Sequence, residues 1–528
     1  MHPTPPSRSF WRRPRVRAAA AGLALVTAGA LTTSVVLPAT ASPDRPGTAS
    51  HDVLANLFEW NWPSVAKECT TQLGPAGYAG VQVAPPQDSL QRTETGNGSD
   101  TVLHPWWEVY QPTDYRLNSR MGTEAQFKAM VKTCRAAGVK VYVDAVINHM
   151  AGQGTTSYGG TTYSKYSYTG LYSPSDFHSY PGTCPVPAPS GSSDREGSIR
   201  DYNDYRQVFT CELSGLSDLN TSSPKVRTEL AGYLNKLLGD GVSGFRVDAA
   251  KHIGQTDLAA IQSKLHRTVD GTRPYFALEV GAGSPGRISP AAFTDLGQVL
   301  GFDYATAIQN AFKSYDDGQK PRNDGNIGDL KVFGQASGLL PSADEQVFIQ
   351  NHDTERNGQS LNYKDANNTI ATEFMLAYPY GTPEVYSGFA FGTDTNQSPP
   401  ATSDGVITDT DCGSSAWVCV DRMQGVKGMV GFHNRVGQAP VRNWYDDGVN
   451  LIAFSRGDLG FFSTNNETAG KTVTVRTGLP SGTYCDVIHG TKHGHSCSGP
   501  TVHVGAHGTA TITVGSYDSV AFTRSDRL

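Results

Sequence analysis

The chain has 528 residues, is 38% hydrophobic and 17% charged, and carries 43 basic against 49 acidic side chains for a formal net charge of −6. That length can bury more than one core, which implies two or three domains and excludes disorder throughout. The acidic balance excludes nucleic acid as a partner.

The first segment differs in kind from the rest. Arg12, Arg13, Arg15 and Arg17 precede an apolar run from Ala18 to Pro38, which ends in Ala39-Thr40-Ala41. Residues 1–41 therefore read as a secretory signal cleaved after Ala41; a membrane anchor is the alternative, and the small-residue cleavage site argues against it. Losing the five arginines at positions 8, 12, 13, 15 and 17 takes the formal charge from −6 to −11. No later run is apolar enough to span a bilayer, so a secreted, soluble chain without membrane attachment is expected. All eight cysteines lie after the signal, an even number that fits disulfides in an oxidising compartment. Cys412 with Cys419 and Cys485 with Cys497 can close short loops, which leaves Cys69, Cys134, Cys184 and Cys211 with their pairing open.

From Val53 to about Ser387 short β-branched runs alternate with helical patterns, the mark of parallel strands joined by crossover helices. Thr123 is an N-cap with Gln126 at the capping-box position, and Phe127, Met130, Val131 and Cys134 share a helical face that stops at Gly138. A strand from Val139 to Val146 follows. The segment from about Met150 to Gly215 is rich in Gly, Ser, Tyr and Pro without helical period, and reads as an irregular insertion with a function of its own. Pro224 then opens a helix with Val226, Leu230, Tyr233, Leu234 and Leu237 on one stripe, ended by Gly241, and a strand Gly244 to Val247 follows. Tyr275 to Leu278, Gln346 to Gln350 and Pro383 to Tyr386 read as later strands, with Thr256 to Val269 and Ala366 to Ala377 as helices. A closed (β/α)8 barrel fits best, with its parts at 42–149 and 216–424 and the insertion, 150–215, after the third strand. After about Gly425 helical patterns are lost, and runs such as Leu451 to Phe454, Thr472 to Val475 and Thr509 to Val514 predict an all-β sandwich over 425–528.

In such a barrel, chemistry sits at the C-terminal ends of the strands. Asp144, Asn148 and His149 end one strand; Arg246, Asp248, Lys251 and His252 follow the next; Glu279 ends a third; Asn351, His352 and Asp353 end a fourth. Any one acid after a strand commonly caps a helix or starts a turn. The joint pattern is not explained that way.

The motifs Asp144-Ala-Val-Ile-Asn-His149, Gly244-Phe-Arg-Val-Asp-Ala-Ala-Lys-His252, Phe276-Ala-Leu-Glu279 and Phe348-Ile-Gln-Asn-His-Asp353 occur in that order, with Leu216-Ser-Asp-Leu-Asn220 between the first two. In these the chain resembles the alpha-amylase family of glycoside hydrolases, from about His51 onward, and most resembles the animal-type members. The resemblance implies that Asp248 is the nucleophile, Glu279 the general acid and base, and Asp353 the third carboxylate. Arg246 beside Asp248 is expected to hold that carboxylate ionised, and the apolar flanks Leu278 and Val280 to push Glu279 toward protonation. Retention of configuration would place the two carboxyl groups roughly 5 Å apart. Trp107, Tyr110, Gln111, His149, Tyr202, Leu216, Arg246, Lys251, His252 and His352 are implied as sugar contacts, Trp106 joining them as a stacking ring.

Structural calcium is implied by the side chains of Asn148 and Asp218 and the backbone carbonyls of Phe209 and His252; oxygen donors suit that hard cation. His149, His252 and His352 could instead suggest zinc, but none has the paired helical spacing of a zinc enzyme. Animal-type relatives bind chloride through residues matching Arg246, Asn351 and a later basic residue; that position aligns with Ala390, so chloride is not expected. The glycine-rich mobile loop of those relatives is missing after Asp353-Thr-Glu-Arg-Asn357. The expected activity is endo-acting hydrolysis of α-1,4 bonds in starch and malto-oligosaccharides by a monomer. A transglycosylase or alpha-glucosidase of the same family, and a non-catalytic carbohydrate-binding relative, remain as alternatives.

Overall fold

A computed structural model describes residues 50–96, 101–313 and 326–528. The expected signal lies outside these residues. Eight strands close into a barrel: β1 (Leu54–Leu57), β2 (Gly80–Val83), β3 (Lys140–Val146), β4 (Gly244–Asp248), β5 (Tyr275–Leu278), β6 (Gln298–Leu300), β7 (Glu345–Phe348) and β8 (Thr382–Phe389). Each pairs in parallel with the next, and β8 returns to β1 with Glu384 opposite Leu54 and Ser387 opposite Leu57. Closure leaves no edge strand, so the backbone of these apolar runs is hydrogen-bonded on both sides.

Around the barrel run α1 (Trp62–Glu68), α2 (Glu124–Ala136), α4 (Pro224–Gly239), α5 (Gln255–Gln262), α6 (Phe302–Phe312) and α7 (Asn368–Ala377); α3 (Tyr205–Thr210) lies in the insertion. The reciprocal Thr123–Gln126 capping box forms at the start of α2, and the predicted faces of α2 and α4 are buried. The helix read over Thr256 to Val269 is cut short. Asn235 of α4 donates its side-chain amide to the Lys264 carbonyl and accepts the His266 N–H, taking the backbone groups a longer helix would use, and Val269 is 57% exposed.

The insertion leaves the barrel at His149 and returns at Asp218, and these two residues face each other in an antiparallel pair. It is mostly irregular, as expected, with a small core around the Cys184–Cys211 disulfide. The bridges Cys412–Cys419 and Cys485–Cys497 also form as expected, and Cys69 pairs with Cys134, tying the chain just past α1 to α2.

Helical structure does not stop at Gly425. A thirteen-residue helix, α8 (Gln424–Val436), packs against α7 before the antiparallel strands begin. Gly425 and Gly428 hid it, because glycine weakens a helix by about 1 kcal/mol against alanine. Their role is close approach: a Cβ on Gly428 would stand 2.0 Å from the Val487 carbonyl oxygen, and one on Gly425 would stand 2.4 Å from a carboxyl oxygen of Glu373.

Beyond α8, β9 (Val441–Asp446), β10 (Leu451–Arg456), β11 (Gly460–Asn465) and β14 (Asp518–Thr523) form one antiparallel sheet, and β12 (Lys471–Arg476) pairs with β13 (Thr509–Val514). Inward residues of both layers, among them Leu451, Phe461, Ile512 and Phe522, make their common core. Arg456 of β10 is fully buried. Its guanidinium donates to the carbonyls of Ala377, at the end of α7, Gly437, just past α8, and Ala439. A cation at two helix C-termini is favoured by their dipoles, and here it ties barrel helices to the β domain. Among the described residues no helix is long and apolar enough to cross a membrane.

Candidate active site

A cleft of about 450 Å³ opens at the C-terminal rim of the barrel, lined by Asp248, Glu279 and Asp353. Strand register brings the charges together. In the β3–β4 pair Asp144 lies level with Arg246, and Val146 with Asp248; side chains level on parallel neighbours point to the same face. Arg246 Nη1 therefore donates both to Asp144 Oδ1, at 2.7 Å, and to Asp248 Oδ1, at 2.8 Å. Its Nη2 lies 3.1 Å from Glu279 Oε2. The same Glu279 oxygen accepts the backbone N–H of Ala249 at 2.7 Å. Ala249 adopts φ +49°, an uncommon conformation for a non-glycine residue, which turns the chain sharply after Asp248. Among the described residues, Asp248 Oδ2 and Glu279 Oε1 have no hydrogen-bond partner, so each acid keeps one oxygen engaged and one open to the cleft.

One expectation about charge needs correction. Arg246 does pull Asp248 down, but burial and the neighbouring charges of Glu279 and Asp144 outweigh it, and Asp248 stands well above the usual carboxylate range. Burial raises Asp144 as well, against Arg246 and the Tyr110 hydroxyl. Asp353 is pushed up to about 7 by burial and by the charge of Glu279, against Arg246 and Arg356. Leu278 and Val280, which flank Glu279, are fully buried, and the Glu279 carboxyl meets an N–H and a guanidinium.

The aromatic wall is built from contacts that spacing did not reveal. Tyr110 donates its hydroxyl to Asp144 Oδ2 at 2.9 Å, and its ring stacks on His352 at 5.1 Å. Phe58 stacks on His352 at 4.6 Å, so the imidazole is held between two rings. Burial and the charges of Arg246 and Arg356 lower His352 far below its usual range, leaving it neutral. Burial also lowers His149 and His252 to about 4. His149 Nε2 donates to the Tyr110 carbonyl at 3.0 Å and His252 Nδ1 to the Val208 carbonyl at 3.1 Å, so these histidines brace different segments rather than share a ligand.

Trp106, Trp107, Tyr110, His149, Tyr202, Leu216, Lys251, His252 and His352 all line the cleft. Arg246 lies beneath it. Gln111 is set back: it is buried, and its side-chain oxygen accepts the Gly152 N–H at 3.1 Å. Asn148 donates to Asp218 Oδ1 at 3.1 Å, while Asp218 Oδ2 is buried without a hydrogen-bond partner. Phe209, on α3, adjoins the Val208 carbonyl that His252 engages. No group of three or more His, Cys, Asp or Glu side chains among the described residues is arranged for a metal. Ala390 follows β8, and the acid Glu384 is buried within that strand, accepting from Asn56 at 3.1 Å and Gln346 at 2.8 Å.

A family model for the alpha amylase catalytic domain matches residues 77–274, and one for the alpha amylase C-terminal all-beta domain matches residues 442–525. An alpha-amylase of Thermomonospora curvata is 42% identical over 516 residues, covering 96% of this chain and 79% of that protein. The chain belongs to the alpha-amylase family. An alpha-amylase of Tenebrio molitor is 41% identical across 88% of this chain and 94% of its own. The crystal structure of a variant alpha-amylase I from Eisenia fetida in complex with maltohexaose aligns with a TM-score of 0.81 at 36% identity, covering 89% of this chain and 97% of that one.

Within this alpha-amylase-family cleft, Arg246 opposes the upward pull on Asp248, so the acid side of the pH profile depends on it. Replacing Arg246 by Gln removes the lowering charge and raises Asp248 further. The acid limb of kcat/KM is expected to start above the usual carboxylate range in the wild type and to move up by about one to three pH units in the variant. An acid limb that stays in place contradicts this assignment.

Proposed function

We propose that this chain is a secreted, endo-acting alpha-amylase that hydrolyses internal α-1,4 bonds of starch and malto-oligosaccharides with retention of configuration. The observation that carries this reading is the Arg246 guanidinium, which engages one oxygen each of Asp248 and Glu279. Two carboxyl groups gathered on one guanidinium suit a double displacement better than inversion, which needs room for a water between them. Asp248 Oδ2 attacks the anomeric carbon as Glu279 Oε1 gives its proton to the glycosidic oxygen. The aglycone leaves, and a glycosyl ester on Asp248 remains. Glu279, now a carboxylate, takes a proton from water, whose oxygen attacks the same carbon and releases Asp248. Asp353 and the neutral His352 face the sugar as acceptor and donor for its hydroxyls. The rings of Trp106, Trp107 and Tyr110 offer stacking faces along the cleft. Four disulfides are consistent with export.

The decisive assay uses soluble starch in chloride-free buffer and compares loss of iodine colour with reducing ends released, for wild type and Glu279→Gln. Early collapse of colour while few ends have appeared, with the variant at least a hundredfold slower, supports endo-hydrolysis through Glu279 without chloride. Ends that accumulate with colour intact would support an exo-acting or glucosyl-transferring relative, and no cleavage a binding protein. Ala390 and the buried Glu384 offer no cation beside Arg246 for a halide, which supports the chloride-free condition.

Structural calcium also fits. Asp218 Oδ2 is a buried carboxylate oxygen with no donor, an expensive arrangement unless a cation compensates it. Asn148 and Asp218, with the carbonyls of Phe209 and His252, would hold the ion, which would fix the insertion against the barrel without taking part in the reaction. Chelation is expected to lower the unfolding midpoint and added calcium to restore it, a contribution of about 3 kcal/mol at a hundredfold excess over Kd. In Asp218→Ala the midpoint should be low and indifferent to chelator. A wild-type midpoint that ignores both chelator and calcium removes the calcium reading.

A further inference from the structure

Exposed tyrosines are few among the described residues, and two of them, Tyr202 and Tyr205, lie three residues apart in the insertion. Tyr202 is 45% exposed and Tyr205 40%. Tyr202 lines the cleft; Tyr205 is the first residue of the six-residue helix α3, where its ring gains little from burial. Each has a cation over its ring. Lys251 Nζ lies 5.9 Å from the Tyr202 ring centre, and the Arg287 guanidinium 4.8 Å from that of Tyr205.

The cations of the two pairs are tied to one loop. Lys251 donates its side chain to the Ser284 hydroxyl, and Arg287 lies three residues beyond Ser284 in the same loop. The outer pair is held from behind. The Phe209 ring meets Tyr205 edge-on at 5.9 Å, Phe209 abuts Gly254, and the Gln255 side chain donates to the Arg287 carbonyl. The inner pair adjoins the acid, since the Lys251 N–H donates to the Glu279 carbonyl at 3.1 Å.

We propose that Tyr205 and Arg287 form an outer subsite for the leaving-group side of a long α-1,4-glucan, one step beyond Tyr202 and Lys251. The exposed face of Tyr205 stacks on the apolar face of a glucosyl unit, while the Arg287 guanidinium holds the ring from its other face. Because Arg287 and Phe209 already order the ring, little freedom is lost on binding. Without a ligand, an exposed cation–aromatic pair of this kind adds little to the fold. The subsite rests on the hydrolase reading above, and it predicts a preference for long chains.

The test compares kcat/KM on maltoheptaose with kcat/KM on a nitrophenyl maltotrioside, whose leaving group is too short to reach Tyr205. In Tyr205→Ala and in Arg287→Ala the long-to-short ratio should fall about threefold to tenfold, through KM for the long substrate. A ratio unchanged in both variants, or equal losses on both substrates, overturns the subsite. A wild type that cuts neither substrate overturns the hydrolase reading and the subsite with it.

Discussion

The guanidinium of Arg246 lies fully buried beneath the cleft, in contact with Asp144, Asp248 and Glu279. A buried cation of this kind is tolerable only with acids around it, and several buried acids are tolerable only with a cation among them. Each side of the cluster is therefore a condition of the other. Closure of the barrel supplies the rest, since parallel register puts Asp144 level with Arg246 and the turn at Ala249 aims an N–H back at Glu279. The reacting acids are thus held by strands and backbone rather than by flexible loops, which is the preorganisation that catalysis through charge needs.

The periphery follows from the same constraint. The insertion leaves and rejoins the chain at the His149–Asp218 pair, directly after the strand that carries Asp144, so an oxygen-ligated cation at Asn148 and Asp218 would brace the cleft wall. Tyr202 and α3 belong to that insertion, which lets a segment with little regular structure present an aromatic ring to the cleft. On the opposite flank, Arg456 and the glycines of α8 bring the β domain close against the barrel helices. That domain contributes none of the residues lining the cleft, which agrees with a supporting role.

Much of this was legible in the sequence because it is periodic or punctuated. The capping box at Thr123, the stripes of α2 and α4 and the short apolar strands each follow from local rules, and the acidic motifs at the strand ends marked the rim. What escaped was decided by tertiary contact. The glycines of α8 argue against a helix until the Val487 carbonyl is seen against Gly428. Asn235 ends α5 from a neighbouring helix. Leu278 and Val280 flank Glu279 in sequence, yet successive residues of an extended chain point to opposite faces, and its carboxyl meets a guanidinium and an N–H. The Phe58–His352–Tyr110 stack joins three separate barrel loops, and no spacing could announce it.

Under the proposed mechanism Asp248 and Glu279 act in two steps from opposite faces of the anomeric carbon. The most direct measurement is the anomeric form of the product in the first minutes of hydrolysis, followed by proton NMR before the hemiacetal equilibrates. Release of the α-anomer, relaxing later to the equilibrium mixture, is the predicted result. The β-anomer appearing first would mean direct attack by water, and would contradict the pairing of these two carboxyl groups on Arg246.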